Sequence, residues 1–155
     1  MSDRKSIKHM QGAVSIEFAL TFGLFFALLY AIVSYALVFM LVQGFTSAAE
    51  DGLRAGISVD CSGLSTTNCI NSHIIPTVRQ QAVTSLSWMP ANVRSAVLGT
   101  NGNLVEVTCD STNCEAVIRY SNYATTGLTP VITLPVIGAV PRLPQDLVGR
   151  GSLRL

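Results

Sequence analysis

The chain reads as an α+β protein: a long N-terminal transmembrane helix followed by a small extracytoplasmic domain with one further helix and a short antiparallel sheet. Three observations lead there. An apolar run from Ala13 to Val42 carries a single charge, Glu17. Four cysteines, Cys61, Cys69, Cys109 and Cys114, all follow that run. Two Val-rich alternating segments near residues 105 and 117 flank a polar tetrapeptide, as a β-hairpin does.

The apolar run sets the organisation. A span needs about 20 apolar residues to cross ~30 Å of hydrocarbon. These thirty residues would make a helix of about 45 Å, enough to cross and project. A cleaved secretory signal is the competing reading, with Ser47-Ala48-Ala49 as its cleavage site. Its apolar region should be about 7–15 residues long, so this run is too long, and it holds a carboxylate. Arg4, Lys5 and Lys8 precede the run against a lone Asp3. The positive-inside rule keeps such a leader in the cytoplasm and sends the rest across the membrane. The boundaries are then 1–12 for a basic leader, 13–57 for the transmembrane helix with its extracytoplasmic extension, and 58–155 for the outside domain.

An even cysteine count in an exported region suggests disulfides. Cys61 and Cys69 bracket a polar loop, and Cys109 and Cys114 face each other across Asp110 to Asn113, so the expected pairs are Cys61–Cys69 and Cys109–Cys114. Beyond Val42 seven arginines face seven acids: Arg54, Arg79, Arg94, Arg119, Arg142, Arg150 and Arg154 against Glu50, Asp51, Asp60, Glu106, Asp110, Glu115 and Asp146. That balance offers no basic patch for nucleic acid.

The outside elements follow in order. Ala48, Gly52 and Gly56 recur every four residues and form a smooth stripe where another helix can approach, while Gly52 and Gly56 could equally end the helix. A second helix is expected over Ile74 to Trp88, capped by Asn71 or Ser72, with Pro76 in its first turn and Pro90 stopping it. Ile75, Val78, Ala82, Leu86 and Met89 form its core stripe. Asn101-Gly102 marks a tight turn into a hairpin of Leu104–Cys109 and Cys114–Tyr120. Pro130, Pro135, Pro141 and Pro144 exclude a long helix in the tail, leaving a short edge strand over 131–134 and a last strand over 151–155.

Catalytic constellations are absent. The histidines are His9, in the leader, and His73, and no Gly-x-Ser-x-Gly elbow occurs. The gaps between paired cysteines do not match zinc-knuckle spacing, and no phosphate-binding Gly loop is present. The expectation is therefore a protein that is not an enzyme, with no catalytic residues, no metal, no cofactor and no small-molecule substrate.

What remains unexplained is Glu17, a carboxylate at the head of a membrane helix, which costs a few kcal/mol or more at the bilayer centre. It stands five residues after Gly12, at the basic-to-apolar boundary, and precedes Phe18. One reading is a plain signal-anchor whose Glu17 snorkels to the headgroups. The pattern also resembles the processing site of type IV prepilins, where a peptidase cuts after the Gly. The resemblance extends to the TadE-like family, minor pseudopilins of the Tad (Flp) pilus system. It rests on the leader with its Glu-Phe helix, on the patch Ala48-Ala49-Glu50-Asp51-Gly52-Leu53-Arg54-Ala55-Gly56, on the Val-rich strands and on the Leu-Pro-rich tail. The cysteine pairs depart from it in this reading, and Trp88 has no role in it.

The resemblance implies cleavage between Gly12 and Ala13 by a prepilin peptidase. Glu17 and Phe18 then serve assembly, with the new α-amine of Ala13 pairing with Glu17 of the same or a neighbouring subunit. It implies a structural pilus-assembly protein, single-pass in a bacterial inner membrane with its C-terminal domain periplasmic, whose partners are the membrane and other pilins and pseudopilins. The alternative is an uncleaved single-pass protein whose outside domain binds an envelope partner.

Overall fold

A computed structural model describes residues 7–110, 112–128, 132–134 and 138–154, with side chains for 14–110, 112–128, 138 and 141–154. The architecture is α+β. Helix α1, Ile7–Ile57, runs unbroken through the apolar segment and on into the domain. Over Val14–Ile57 it is long and apolar enough to cross a membrane. Arg4 and Lys5 of the leader and Pro130 and Pro135 of the tail lie outside the described residues.

The domain wraps the last third of α1. On one side lies α3, Ile75–Ser85. It runs antiparallel to α1, because Gly56 meets Ile74 and Val78 while Gly44 meets Trp88 and Met89. On the other side lies β5, Leu147–Arg154, whose Gly149 sits over Phe45 and Thr46 and whose Gly151 sits over Ala49 and Glu50. β5 thus climbs α1 in the same direction as the helix. It pairs with β2, Asn113–Tyr120, which pairs with β1, Glu106–Cys109, giving an antiparallel sheet of order β1-β2-β5. Two short strands, β3 (Ile132–Leu134) and β4 (Gly138–Val140), form a separate antiparallel pair.

The core is the seam between these layers. Phe45, Leu53, Val78, Ala82, Leu86 and Ile118 are each at most 1% exposed. Burying a Phe, Leu, Ile or Val side chain of this kind contributes about 1.5–3 kcal/mol.

Six expectations need correction. The second helical region starts eight residues before Ile74, at α2, Thr66–Cys69, and passes through a π-helical stretch, Ile70–Ile74, into α3. Asn71 and Ser72 therefore lie within a helical segment and cap nothing. The π-turn has a cause in Pro76: its ring lacks an N–H and would collide with the carbonyl of Ser72 in a regular α-helix. At its other end α3 stops at Ser85, short of Trp88. Pro90 opens an additional helix, α4, Ala91–Leu98, with the Arg94 N–H donating to the Pro90 carbonyl at 3.0 Å. The signal for α4 was Val93 and Val97, four apart and fully buried, after a proline. Lastly, β1 starts at Glu106, not Leu104, and β5 starts at Leu147, four residues before the strand expected over 151–155. The Asn101-Gly102 turn is present: both residues have positive φ, at 55° and 76°, and they join α4 to β1.

A candidate assembly helix

The sequence-derived site residues fall into three groups along α1 and the domain. Gly12 and Ala13 lie within the helical backbone of α1, and their side chains are not among those described. Glu17 and Phe18 stand one turn further on, both exposed. Among the described residues no ion pair reaches Glu17. Its backbone carbonyl accepts a hydrogen bond from Thr21 Oγ1 at 2.9 Å, which leaves the carboxylate uncommitted. A solvated carboxylate needs nothing more, whereas one set in hydrocarbon needs a cation or a proton.

Phe18 opens an aromatic file. Its ring stacks on Phe22 at 5.7 Å between centroids, and Phe22 lies 5.2 Å from Phe26. These residues recur every four positions, so they share one face of the helix. Beyond Phe18, the four-residue spacing of Phe22 and Phe26 is the sequence signal for this file.

From Val14 to Phe26 every residue is exposed in the single chain. Exposed large apolar side chains continue as far as Phe39 and Met40, at 67% and 52%, and then stop until Ile57. Partial cover begins on one face at Ala27, and Ser34 is only 1% exposed.

Ala48, Gly52 and Gly56 form the second group. A Cβ at Gly52 would stand 2.9 Å from the Val78 carbonyl oxygen, and one at Gly56 would stand 2.6 Å from Val78 Cγ2. The helix that approaches this stripe is therefore α3 of the same chain. Small residues let the two backbones come together here, and the helix ends one residue past Gly56.

The cysteines form the third group. Cys61 is bonded to Cys69 and Cys109 to Cys114, with Cα separations of 5.7 and 4.1 Å. The second pair closes the hairpin where Cys109 and Cys114 stand opposite in register. Asp110 fills that loop. Its Oδ1 accepts from the backbone N–H of Thr112 at 2.8 Å and of Asn113 at 2.7 Å, and from Thr112 Oγ1 at 3.0 Å. These donors hold the carboxyl below its ordinary pKa. Asp60 is held low in the same way by the hydroxyl and the backbone N–H of Ser62. Among the described residues no group of three or more His, Cys, Asp or Glu side chains is placed to hold a metal.

Residues 12–54 match the family model of TadE-like protein. The match opens at Gly12, contains Glu17 and Phe18, and closes within the patch that packs on α3. No curated protein matches, and no solved structure does.

Proposed function

We propose that this chain is a minor pseudopilin, a structural subunit of a Tad-type pilus or a related secretion assembly in the cell envelope. It is made with its leader in the cytoplasm, cut between Gly12 and Ala13 by a prepilin peptidase, and held in the inner membrane by α1 with its domain in the periplasm. Other pilins pack against the helix. On this reading the chain is a structural part and catalyses no reaction.

The observation that carries the proposal is the TadE-like match over residues 12–54, which coincides with the segment of α1 that holds the carboxylate. Glu17 is exposed on a helix surface otherwise uncharged from Val14 to Phe26. After cleavage the nearest cation in sequence is the α-amine of Ala13, about one helical turn away. In hydrocarbon either charge alone is costly, so pairing is favoured over leaving both single. Pairing between subunits would also fix the axial register of neighbouring helices.

The test is Glu17→Ala beside wild type at matched expression. Insertion is expected to stay intact, because the span becomes more apolar. Recovery of other pilins in a pull-down, and the count of surface pili, are expected to fall. Normal piliation with normal partner recovery would leave Glu17 as a snorkelling residue and favour an ordinary signal-anchor.

A further inference from the structure

We propose that α1 keeps one ridge free for the α1 of a second copy of this chain, the two helices running parallel with Glu50 of each meeting Arg54 of the other. This rests on the reading of α1 as the membrane-spanning assembly helix of a pseudopilin, and it names one partner of that helix and the face it takes.

The domain decides which ridge is free. The span carries large apolar side chains on every face, so by itself it picks no side. Beyond Met40 the choice narrows. α3 closes the face of Gly52 and Gly56, Trp88 and Met89 close that of Gly44, and β5 closes that of Phe45 and Ala49. On α1 beyond Met40, among the described residues, only Gln43, Ser47, Glu50, Arg54 and Ile57 are exposed. They follow one another at steps of four, three, four and three, which places them on one face of the helix. The axis of a packing helix must come within about 8–10 Å. At this height it reaches α1 along this face alone.

The same ridge continues down the span. Stepping back from Gln43 by four and three in turn meets Phe39, Ala36, Ile32, Leu29, Phe25 and Phe22, every one of them exposed. Alternating steps of four and three are the seam of a left-handed two-helix coil. Two steps of four meet at Gln43, a stutter that locally unwinds such a coil without moving its seam to another face. A straight partner helix therefore stays in contact from Phe22 to Arg54, first through apolar packing and then through polar side chains.

Charge selects the occupant. Of the ridge residues beyond Met40 only Glu50 and Arg54 are charged, one acid and one base. Within the chain they pair at 3.8 Å, yet the two side chains remain 50% and 68% exposed. A pair this exposed is held weakly and exchanges partners at little cost. Two copies inserted in one membrane share one orientation, so their helices run parallel. A two-fold axis along the pair then sets Glu50 of each copy four residues, about 6 Å along the axis, from Arg54 of the other. That is the offset the same two residues already span within one helix. The ridge is thus complementary to itself, which an isologous contact requires. Opposite charges of this kind set partner choice and orientation in coiled coils.

Ser47→Cys puts one free thiol in the middle of the ridge with little change of shape, the four native cysteines being bonded to one another. Membranes of cells expressing this full-length variant are treated with a short bis-maleimide. A product of twice the chain mass is expected, and none from Ser95→Cys, exposed on α4. The charges are then split between two differently tagged chains that both carry Ser47→Cys, one with Arg54→Glu and the other with Glu50→Arg. Each has lost its internal pair, so a role confined to one chain predicts the mixed product at its statistical share, about twice either like product. Pairing across copies predicts a mixed product at least about fivefold above either like product. A mixed product at the statistical share overturns the Glu50–Arg54 crossing. A Ser47→Cys product with a different pilin in place of the chain itself overturns the choice of a second copy. No product, while other pilins are still recovered in a pull-down, overturns the ridge pairing and leaves the pseudopilin reading standing. A product of the chain with itself and no recovered pilin supports the pair and counts against the pseudopilin reading instead.

Discussion

Gly149 joins the anchor to the domain. Any Cβ there would run into Phe45 Cβ and the Thr46 backbone nitrogen, which are parts of α1 that cannot move aside. Gly149→Val is therefore expected to separate β5 from the helix and to destabilise the domain by more than the ~1–3 kcal/mol usual for overpacking. A drop in thermal midpoint, or loss of soluble folded domain in detergent, checks this. Gly63→Val, where the glycine has nothing within 4 Å but φ is +84°, should cost less, through backbone strain alone. The stripe Ala48, Gly52 and Gly56 was legible from its spacing of four. Gly149 and Gly151 were not singled out, although their spacing of two places both on one face of a strand. A close approach between a strand and a helix leaves no mark except small residues, and glycines in a tail also read as turns.

The hairpin end is held by a disulfide and by Asp110. The loop closed by Cys109–Cys114 is short, so converting both to Ser is expected to cost about 2–3 kcal/mol, read from denaturant midpoints, and to leave the fold in place. Asp110 has a folded pKa below its ordinary 3.8. Its loop-stabilising contribution is then fully present above that ordinary value and is lost as the pH falls through the lower, folded one. The amide resonances of Thr112 and Asn113 should follow this titration in an acid series, and Asp110→Asn should abolish it. Unchanged resonances in the wild type over the same series would remove Asp110 as the clamp. Hairpin, turn and cysteine loop were readable because each is a local matter of turn residues and alternation. The run from Thr66 to Ser85 is not legible in this way, because a proline such as Pro76 reads as a helix start, whereas a π-turn absorbs it inside a helix. α4 was missed because eight residues give too little periodicity to stand against a flanking proline.

At the scale of the molecule, one helix serves two environments. From Val14 to Phe26 it is exposed and uncharged apart from Glu17; in its last third Phe45, Ala48, Ala49 and Leu53 are buried, where α3 and β5 grip it. A register shift of α1 would therefore move the domain and the anchor together. A helix long and apolar enough to cross a membrane was legible from hydropathy alone. How the domain holds the helix was not, because that depends on contacts between residues a hundred positions apart, such as Phe45 and Gly149. The central claim, that the chain is a processed pseudopilin, is tested most directly by the intact mass of the protein extracted from membranes of a strain with an active prepilin peptidase. The expected species begins at Ala13 and lacks Met1 to Gly12, and Gly12→Val should restore the longer form, because a side chain at that position obstructs close approach of the peptidase to the backbone. A wild-type protein that retains Met1 to Gly12 in that strain would contradict the account.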